Sequence, residues 1–346
     1  MKKLDHYGIR GVPNDWLKSY LSNRKQFVSF DDFNSNLMNI SCGVPQGSIL
    51  GPSLFILYIN DICNVSKILK FVLFADDTNI FCSDTNILNL SKTVSKELDK
   101  LNIWFAVNKL SLNISKTNFI IFGNRKFNEK LSITINEFEI ERVYVTKFLG
   151  VFIDHKLNWK YHIENICTKI SRNISIIYKA SKVLGSHSLR NLYCTLILPY
   201  LNYCAENWGN TYPSNLNKIF LKQKKVIRII CKASYYDHTN LLFKGLNLLK
   251  LEDLIKLKNA IFMFKVFNRK LPPNLLSLFH EHTANKRYNL RTQQDFQPKT
   301  VRTKQKQMCI SCQGIDIWNS IDRNIKSCNV LESFKFKYKK YLLSMY

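Results

Sequence analysis

Two adjacent carboxylates offer the clearest chemistry in the sequence. Asp76 and Asp77 lie between two apolar runs, Lys70–Phe74 and Asn79–Cys82, whose composition predicts the strands of a hairpin. Aspartate is also a common turn residue, so the pair alone is equally consistent with a plain turn. Strands this apolar predict a buried hairpin, however, and two fixed anions repel each other unless a cation lies between them. The context therefore favours a divalent cation such as Mg²⁺, which prefers carboxylate oxygens.

The net charge indicates a polyanionic partner. The 346 residues include 51 Lys and Arg against 25 Asp and Glu, a net charge of +26. Residues 1–90 are neutral overall, so residues 91–346 carry the whole excess. Such a charge resists compaction unless a polyanion screens it, and nucleic acid is the first candidate. A solvated, lysine-rich surface is the alternative, since Lys outnumbers Arg 39 to 12.

Composition excludes several classes of protein. Hydrophobic residues make up 46% of the chain, which is too many for a disordered protein. The longest apolar runs, Ile49–Ile59 and Ile68–Ala75, are shorter than the ~20 residues of a membrane span. The N-terminus lacks the apolar region of a signal peptide. We expect no membrane partner and a cytoplasmic or nuclear protein that is not secreted, in which the ten cysteines are reduced.

The hydrophobic pattern predicts an α+β fold in three regions. Up to residue 155, short strands alternate with helices, among them a buried helix at Ser48–Asn60. From Trp159 onward, apolar residues with a period of 3.6 predict long helices over 156–235 and 236–346. Segment 285–307 is basic and aperiodic, which is typical of a flexible linker.

An ordered series of motifs resembles the reverse transcriptases of non-LTR, LINE- and Jockey-like retrotransposons. Phe74-Ala-Asp-Asp77 resembles their acidic signature, and Gly43-Val-Pro-Gln-Gly-Ser-Ile-Leu-Gly-Pro52 resembles their template-binding loop. Asn108–Thr117 resembles the next motif, and Lys147–Asp154 the primer-grip region. Lys222–Cys231 resembles the region downstream of the polymerase. A lone Asp-Asp is a weak signal, but this series covers most of the chain in the family's order.

The resemblance implies an architecture for the three regions. It predicts a partial palm in 1–155, with an antiparallel sheet, packed helices and the primer-grip hairpin. A helical thumb would follow in 156–235, and a basic helical C-terminal region in 236–346. In the family, the first catalytic motif precedes a stretch that resembles Lys2–Gly11. We therefore expect the fingers and that motif to be missing, so that the enzyme is truncated at its N-terminus. The exposed edge of the palm sheet would favour self-association.

The resemblance also implies an activity, which is RNA-directed DNA synthesis from deoxynucleoside triphosphates on an RNA template with a DNA primer. Asp76 and Asp77 would be catalytic metal ligands in a site that holds two Mg²⁺ ions. Lys116 would protonate the leaving group, although a solvated lysine explains it as well. With two carboxylates in place of three, Mg²⁺ would bind weakly and the chain alone would be nearly inactive.

The remaining expected contacts concern substrate and nucleic acid. The template and the incoming nucleotide would contact four residues: Pro45, Gln46, Gly47 and Ala75. The primer strand would contact Phe148, Leu149 and Gly150, although a hairpin core explains those residues nearly as well. The nucleic-acid backbone would contact a basic helix face: Lys222, Lys224, Lys225 and Arg228. The alternative function is nucleic-acid binding without catalysis. The chain would then be a remnant of such a polymerase, or a domesticated protein, that keeps the polymerase fold and the positive charge.

Overall fold

The structure is a computed structural model that describes residues 1–40, 43–123, 131–281 and 295–346. The described residues form two compact units. The first contains residues of Met1–Phe119 together with 131–142, and the second contains 120–123 and Val143–Tyr346. The hairpin predicted as the primer grip falls in the second unit. The predicted domain boundary after residue 155 stays a prediction.

The first unit mixes helices with very short strands. Its helices are α1 (Lys2–His6), α2 (Val12–Leu21), α3 (Leu50–Ile59) and α4 (Ile87–Val107), with 3₁₀ turns at Asn60–Asn64 and Ile114–Lys116. Its strands are β1 (Lys25–Gln26), β2 (Ser29–Phe30), β3 (Phe33–Asn34), β4 (Met38–Asn39), β5 (Lys70–Phe74), β6 (Asp77–Phe81), β7 (Asn118–Phe119), β8 (Thr134–Ile135), β9 (Phe138–Glu139) and β10 (Glu141–Arg142).

Strands of the first unit pair two by two in the part of the chain that the structure describes. The pairs β1–β4, β2–β3, β5–β6 and β8–β9 are antiparallel, and β7–β10 is parallel. The predicted mixture of helix and strand is confirmed. The single antiparallel sheet implied by the resemblance is replaced here by separate ribbons.

A small apolar cluster holds the acidic hairpin in the first unit. It consists of four buried residues: Ile59, Ile62, Leu69 and Leu101. Phe55 of α3 and the half-buried Phe71, Leu73 and Ile80 of the hairpin pack against it. The prediction that α3 is buried is wrong, because the helix is apolar on all sides and this cluster covers one side only. Gly51 and Ile59 are its buried residues, and Ile56 is exposed.

The second unit is a hairpin followed by helices. The hairpin pairs β11 (Val145–Phe148) with β12 (Val151–Asp154). The helices are α5 (Lys160–Ala180), α6 (Ser186–Leu196), α7 (Leu198–Asn202), α8 (Ala205–Trp208), α9 (Pro213–Cys231), α10 (Thr239–Gly245), α11 (Leu251–Phe267), α12 (Pro273–Leu276), α13 (Lys304–Gln307), α14 (Ile310–Ser320), α15 (Arg323–Lys326) and α16 (Leu331–Ser344).

The helical core follows the predicted periodicity. The sequence predicted apolar residues with a period of 3.6 after Trp159, and on α5 those residues are buried: Ile163, Ile166, Ile170, Ile174 and Ile177. Within the predicted helical region 156–235, one helix ends at Leu196 and the next begins at Leu198, because Pro199 has no N–H for a continuous helix. Residues 285–294 of the predicted flexible segment 285–307 lie outside the described residues, and its last four residues form α13. None of the described helices is both long and apolar enough to cross a membrane.

Candidate active site

The acidic pair lies at a tight and strained turn. Phe74 pairs with Asp77 across β5 and β6, which leaves Ala75 and Asp76 as a two-residue turn. Ala75 has a φ of +51°. A positive φ at the first turn position is the requirement of a type II′ turn, which normally places glycine there. Alanine in this region costs roughly 1 kcal/mol of backbone strain, so the surrounding structure must hold the turn in place.

The two faces of the acidic hairpin have different surroundings. Phe71 and Leu73 face the apolar cluster, whereas Val72 and Phe74 are exposed on the opposite face. Directly paired residues share a face, so Asp77 lies beside Phe74 on the open side. The prediction of a buried hairpin is therefore correct for one face only, because a two-stranded ribbon has one covered side.

Neither carboxylate at the turn is committed to another side chain. Asp76 and Asp77 are exposed and, within the described ranges, neither carboxylate has an ion pair or a side-chain hydrogen bond. No third His, Cys, Asp or Glu joins them in a metal-binding group among those residues. Their oxygens are the donors that Mg²⁺ prefers, and exposure leaves room for water or phosphate in its shell. The residues present thus fit a divalent cation, with two carboxylates as the protein's contribution.

The predicted template loop is a turn that leads into α3. Ser48 N donates to Pro45 O at 3.3 Å, and Gly47 has a φ of +80°. This geometry is that of a type II turn, in which the third residue needs a positive φ and is usually glycine. Ser48 Oγ accepts a hydrogen bond from Gly51 N, in the first turn of α3, at 3.0 Å. Gln46 and Gly47 are exposed. The contact of Pro45, Gln46, Gly47 and Ala75 with template or nucleotide stays a prediction.

Lys116 lies on the surface of the first unit. It ends the 3₁₀ turn Ile114–Lys116, and its backbone N donates to Asn113 Oδ1 at 3.2 Å. Its ammonium forms no ion pair with Asp76, Asp77 or another acid that the structure describes. The catalytic role of Lys116 stays a prediction, as does its alternative as a solvated lysine.

The predicted primer-grip turn is pinned by a tyrosine that the sequence did not single out. Phe148 pairs with Val151, so Leu149 and Gly150 form a two-residue turn with φ values of +45° and +84°. Two positive φ values define a type I′ turn. Tyr203 Oη donates to Leu149 O at 2.6 Å. The role of Phe148, Leu149 and Gly150 toward a primer stays a prediction.

A buried carboxylate fixes the other end of this hairpin. Asp154 is 1% exposed and ends β12. Its two oxygens accept hydrogen bonds from the backbone N–H groups of Lys156, Asn158 and Trp159 at 2.9–3.3 Å. This local chain reversal begins α5 at Lys160. Asp154 closes the segment that resembles the primer-grip region, but its capping role depends on the following turn and was not predicted.

A buried histidine joins the hairpin to α5. Phe152 N donates to His162 Nδ1 at 3.4 Å, and the His162 ring packs edge-on against Trp208. His162 Nε2 is buried without a hydrogen-bond partner among the described residues. Burial lowers the pKa of His162 to about 4, so the ring is neutral at physiological pH.

The four cations predicted on α9 have different surroundings. Lys222 Nζ donates to Ser171 Oγ on α5 at 2.6 Å, and Lys224 Nζ lies 4.4 Å from the centre of the Phe220 ring. Arg228 donates to the backbone carbonyl of Asp237, in the turn that follows α9. Lys225 is exposed. Lys225 is therefore the most available of the four for a phosphate, while the others are partly engaged within the protein.

Comparison with known proteins places these sites in a family. Residues 1–153 match the family described as reverse transcriptase (RNA-dependent DNA polymerase). The RNA-directed DNA polymerase from mobile element jockey of Drosophila melanogaster is 31% identical over 255 residues, which cover 70% of this chain and 27% of the relative.

Two further relatives agree. The polymerase from mobile element jockey of Drosophila funebris is 27% identical over 251 residues, covering 69% of this chain and 27% of the relative. The probable RNA-directed DNA polymerase from transposon X-element of Drosophila melanogaster is 27% identical over 279 residues, covering 75% and 30%. The chain thus spans under a third of the length of these relatives. It belongs to the reverse transcriptases of the non-LTR, Jockey-like retrotransposons.

Proposed function

We propose that this chain is the part of a retrotransposon RNA-directed DNA polymerase that presents the acidic hairpin, and that this hairpin holds a divalent cation. The observation that carries the proposal is the pair Asp76 and Asp77, exposed and unpaired among the described residues, within the stretch that matches the family. A cation bound there would supply charge neutralisation to a nucleotide triphosphate.

The chain's own residues would position the substrates. The turn Pro45–Gly47 would contact template and nucleotide through an exposed backbone, and Gly47 lets another chain approach closely because it has no side chain. The turn Leu149–Gly150, held by Tyr203, would contact the primer strand. Lys225 and its neighbours on α9 would neutralise phosphates without reading sequence.

The site is expected to be weak in this chain by itself. Two exposed carboxylates supply a small part of an octahedral shell, and solvent screens their charge. A metal ion lowers the activation barrier of such reactions by several kcal/mol, and each 1.4 kcal/mol or so is a factor of ten in rate. We therefore propose that the chain alone gives little synthesis.

Non-enzymatic nucleic-acid binding is the second candidate function. The observation that favours it is the charge, since residues 91–346 carry the whole excess of +26 and lie mostly in the helical unit. Binding through phosphate contacts needs no metal at the acidic hairpin.

Primer extension on an RNA template separates the two functions. Weak Mg²⁺-dependent synthesis that Asp76→Asn abolishes, and that the exposed Asp32→Asn leaves intact, would support the polymerase. Robust synthesis would contradict the weak site that we propose. Salt-sensitive binding of the template–primer without any synthesis, equal in both variants, would favour the non-enzymatic function.

A further inference from the structure

Two neighbouring tyrosines are displayed on the surface immediately after α9. Tyr235 and Tyr236 lie in the turn Ser234–His238, here called the tyrosine turn, and are 79% and 88% exposed. Their ring centres are 5.4 Å apart at an interplanar angle of 89°. Tyrosine usually buries most of its ring, so two adjacent and almost fully exposed rings indicate a surface that contacts a partner.

The tyrosine turn is held in place by the end of α9. Ser234 N donates to Asp237 Oδ2 at 2.6 Å, and Asp237 N donates to Ser234 O at 3.2 Å. Arg228 donates to Asp237 O at 3.1 Å, and its guanidinium lies 5.6 Å from the centre of the Tyr235 ring. These contacts fix the backbone before a partner arrives, so binding would cost little ordering of the turn.

The surroundings of the tyrosine turn are strongly cationic. From Pro213 to Gly245 the sequence contains seven Lys and Arg and a single acid, Asp237. That carboxylate accepts a hydrogen bond within the turn. Lys225, Lys232 and Lys244 are exposed. The partner that fits this segment is therefore an anion.

Aromatic rings beside cations favour one class of anionic partner. Unpaired nucleotides offer base faces for stacking and phosphates for the cations, which is how sequence-tolerant single-strand binding surfaces work. In a duplex the bases stack on each other and present only edges and backbone. An acidic protein segment would satisfy the cations but gives no reason for two open rings.

We propose that the tyrosine turn is a binding site for single-stranded nucleic acid. Tyr235 and Tyr236 stack on bases, while Arg228 supports the Tyr235 ring and Lys232 contacts the adjoining phosphate. The site needs neither a metal nor the acidic hairpin, so it can hold whether or not the chain synthesises DNA.

Fluorescence anisotropy with labelled single strands and the whole chain tests the site. Replacing both rings in Tyr235→Leu/Tyr236→Leu keeps apolar bulk and removes the aromatic faces. We expect binding of a 12-nucleotide strand to weaken about tenfold or more, since stacking on one side chain accounts for roughly five- to 150-fold and two rings are replaced. Tyr235→Phe/Tyr236→Phe should bind like the wild type. The matched control is Tyr178→Leu, an exposed tyrosine on α5, which should change little.

Two further measurements separate stacking from charge. An abasic strand of the same length keeps the phosphates, so its affinity should be the same for wild type and the Leu variant. The dependence of affinity on salt should also be unchanged, because no phosphate contact is removed. The proposal is overturned if the Leu variant binds single strands as the Tyr178→Leu control does, or if it loses equal affinity for the abasic strand.

Discussion

Replacing Asp154 by alanine should destabilise the helical unit. The Asp154 carboxylate is buried and accepts the N–H groups of Lys156, Asn158 and Trp159. Two residues of that turn, Leu157 and Trp159, have positive φ values of +52° and +63°, so the turn needs these bonds to persist.

The magnitude follows from the donors left behind. A buried donor without a partner costs about 1–3 kcal/mol. Three donors lose their acceptor, but the turn is only half-buried and water can reach part of it. We expect Asp154→Ala to lower the free energy of unfolding by about 3 kcal/mol, and Asp154→Asn by about 2 kcal/mol because one acceptor oxygen remains.

Urea unfolding followed by tryptophan fluorescence measures the decrease in the free energy of unfolding. Hydrogen exchange shows which part of the chain is destabilised. Faster exchange should be concentrated in peptides over residues 151–166. Asp316→Ala is the matched control, because Asp316 is an exposed acid on α14 and should change stability by less than about 0.5 kcal/mol. If Asp154→Ala were as stable as this control, the account of the turn would be refuted.

Three other changes test the geometry of the two hairpins. Ala75→Gly removes the strain of a positive φ and should stabilise the first unit by about 0.5–1 kcal/mol in urea unfolding; a loss of stability would contradict the turn type. Tyr203→Phe removes the hydrogen bond to Leu149 O, which should lower the local stability of the β11–β12 turn by about 1 kcal/mol and speed its amide exchange. Unchanged exchange would contradict a stabilising role for this hydrogen bond. His162 has a pKa lowered to about 4 from 6.5, so below pH 6.5 the unfolded chain binds a proton that the folded chain does not. Stability should therefore fall as the pH drops from about 6.5 to about 4, by at most about 1.4 kcal/mol per pH unit, and His162→Gln should flatten this slope in unfolding curves measured across that range. Equal slopes in both proteins would contradict a buried neutral ring.

Local patterns in the sequence predicted the elements that depend on neighbours along the chain. The apolar runs around Asp76 predicted the β5–β6 hairpin, and the period of 3.6 after Trp159 predicted the buried face of α5. Both follow from side-chain alternation within one element. The family motifs located the turns at Gly47 and Gly150, where the structure has positive φ values.

What could not be predicted depends on residues far apart in the sequence. Phe74 is exposed because a two-stranded ribbon leaves its outer face open, and strand composition does not reveal how many strands a sheet has. Lys222 and Lys225 look alike in the sequence, yet only Lys222 reaches Ser171, 51 residues away. The contact of Tyr203 with Leu149 spans 54 residues. Each of these is set by tertiary packing.

Binding of Mn²⁺ to the whole chain tests the central claim most directly, because Mn²⁺ accepts the same oxygen ligands as Mg²⁺ and its free form is counted by electron paramagnetic resonance. The account predicts weak binding that is lost in Asp76→Asn and in Asp77→Asn and is retained in Asp32→Asn. Binding that is equal in all three variants would contradict a cation site at the acidic hairpin.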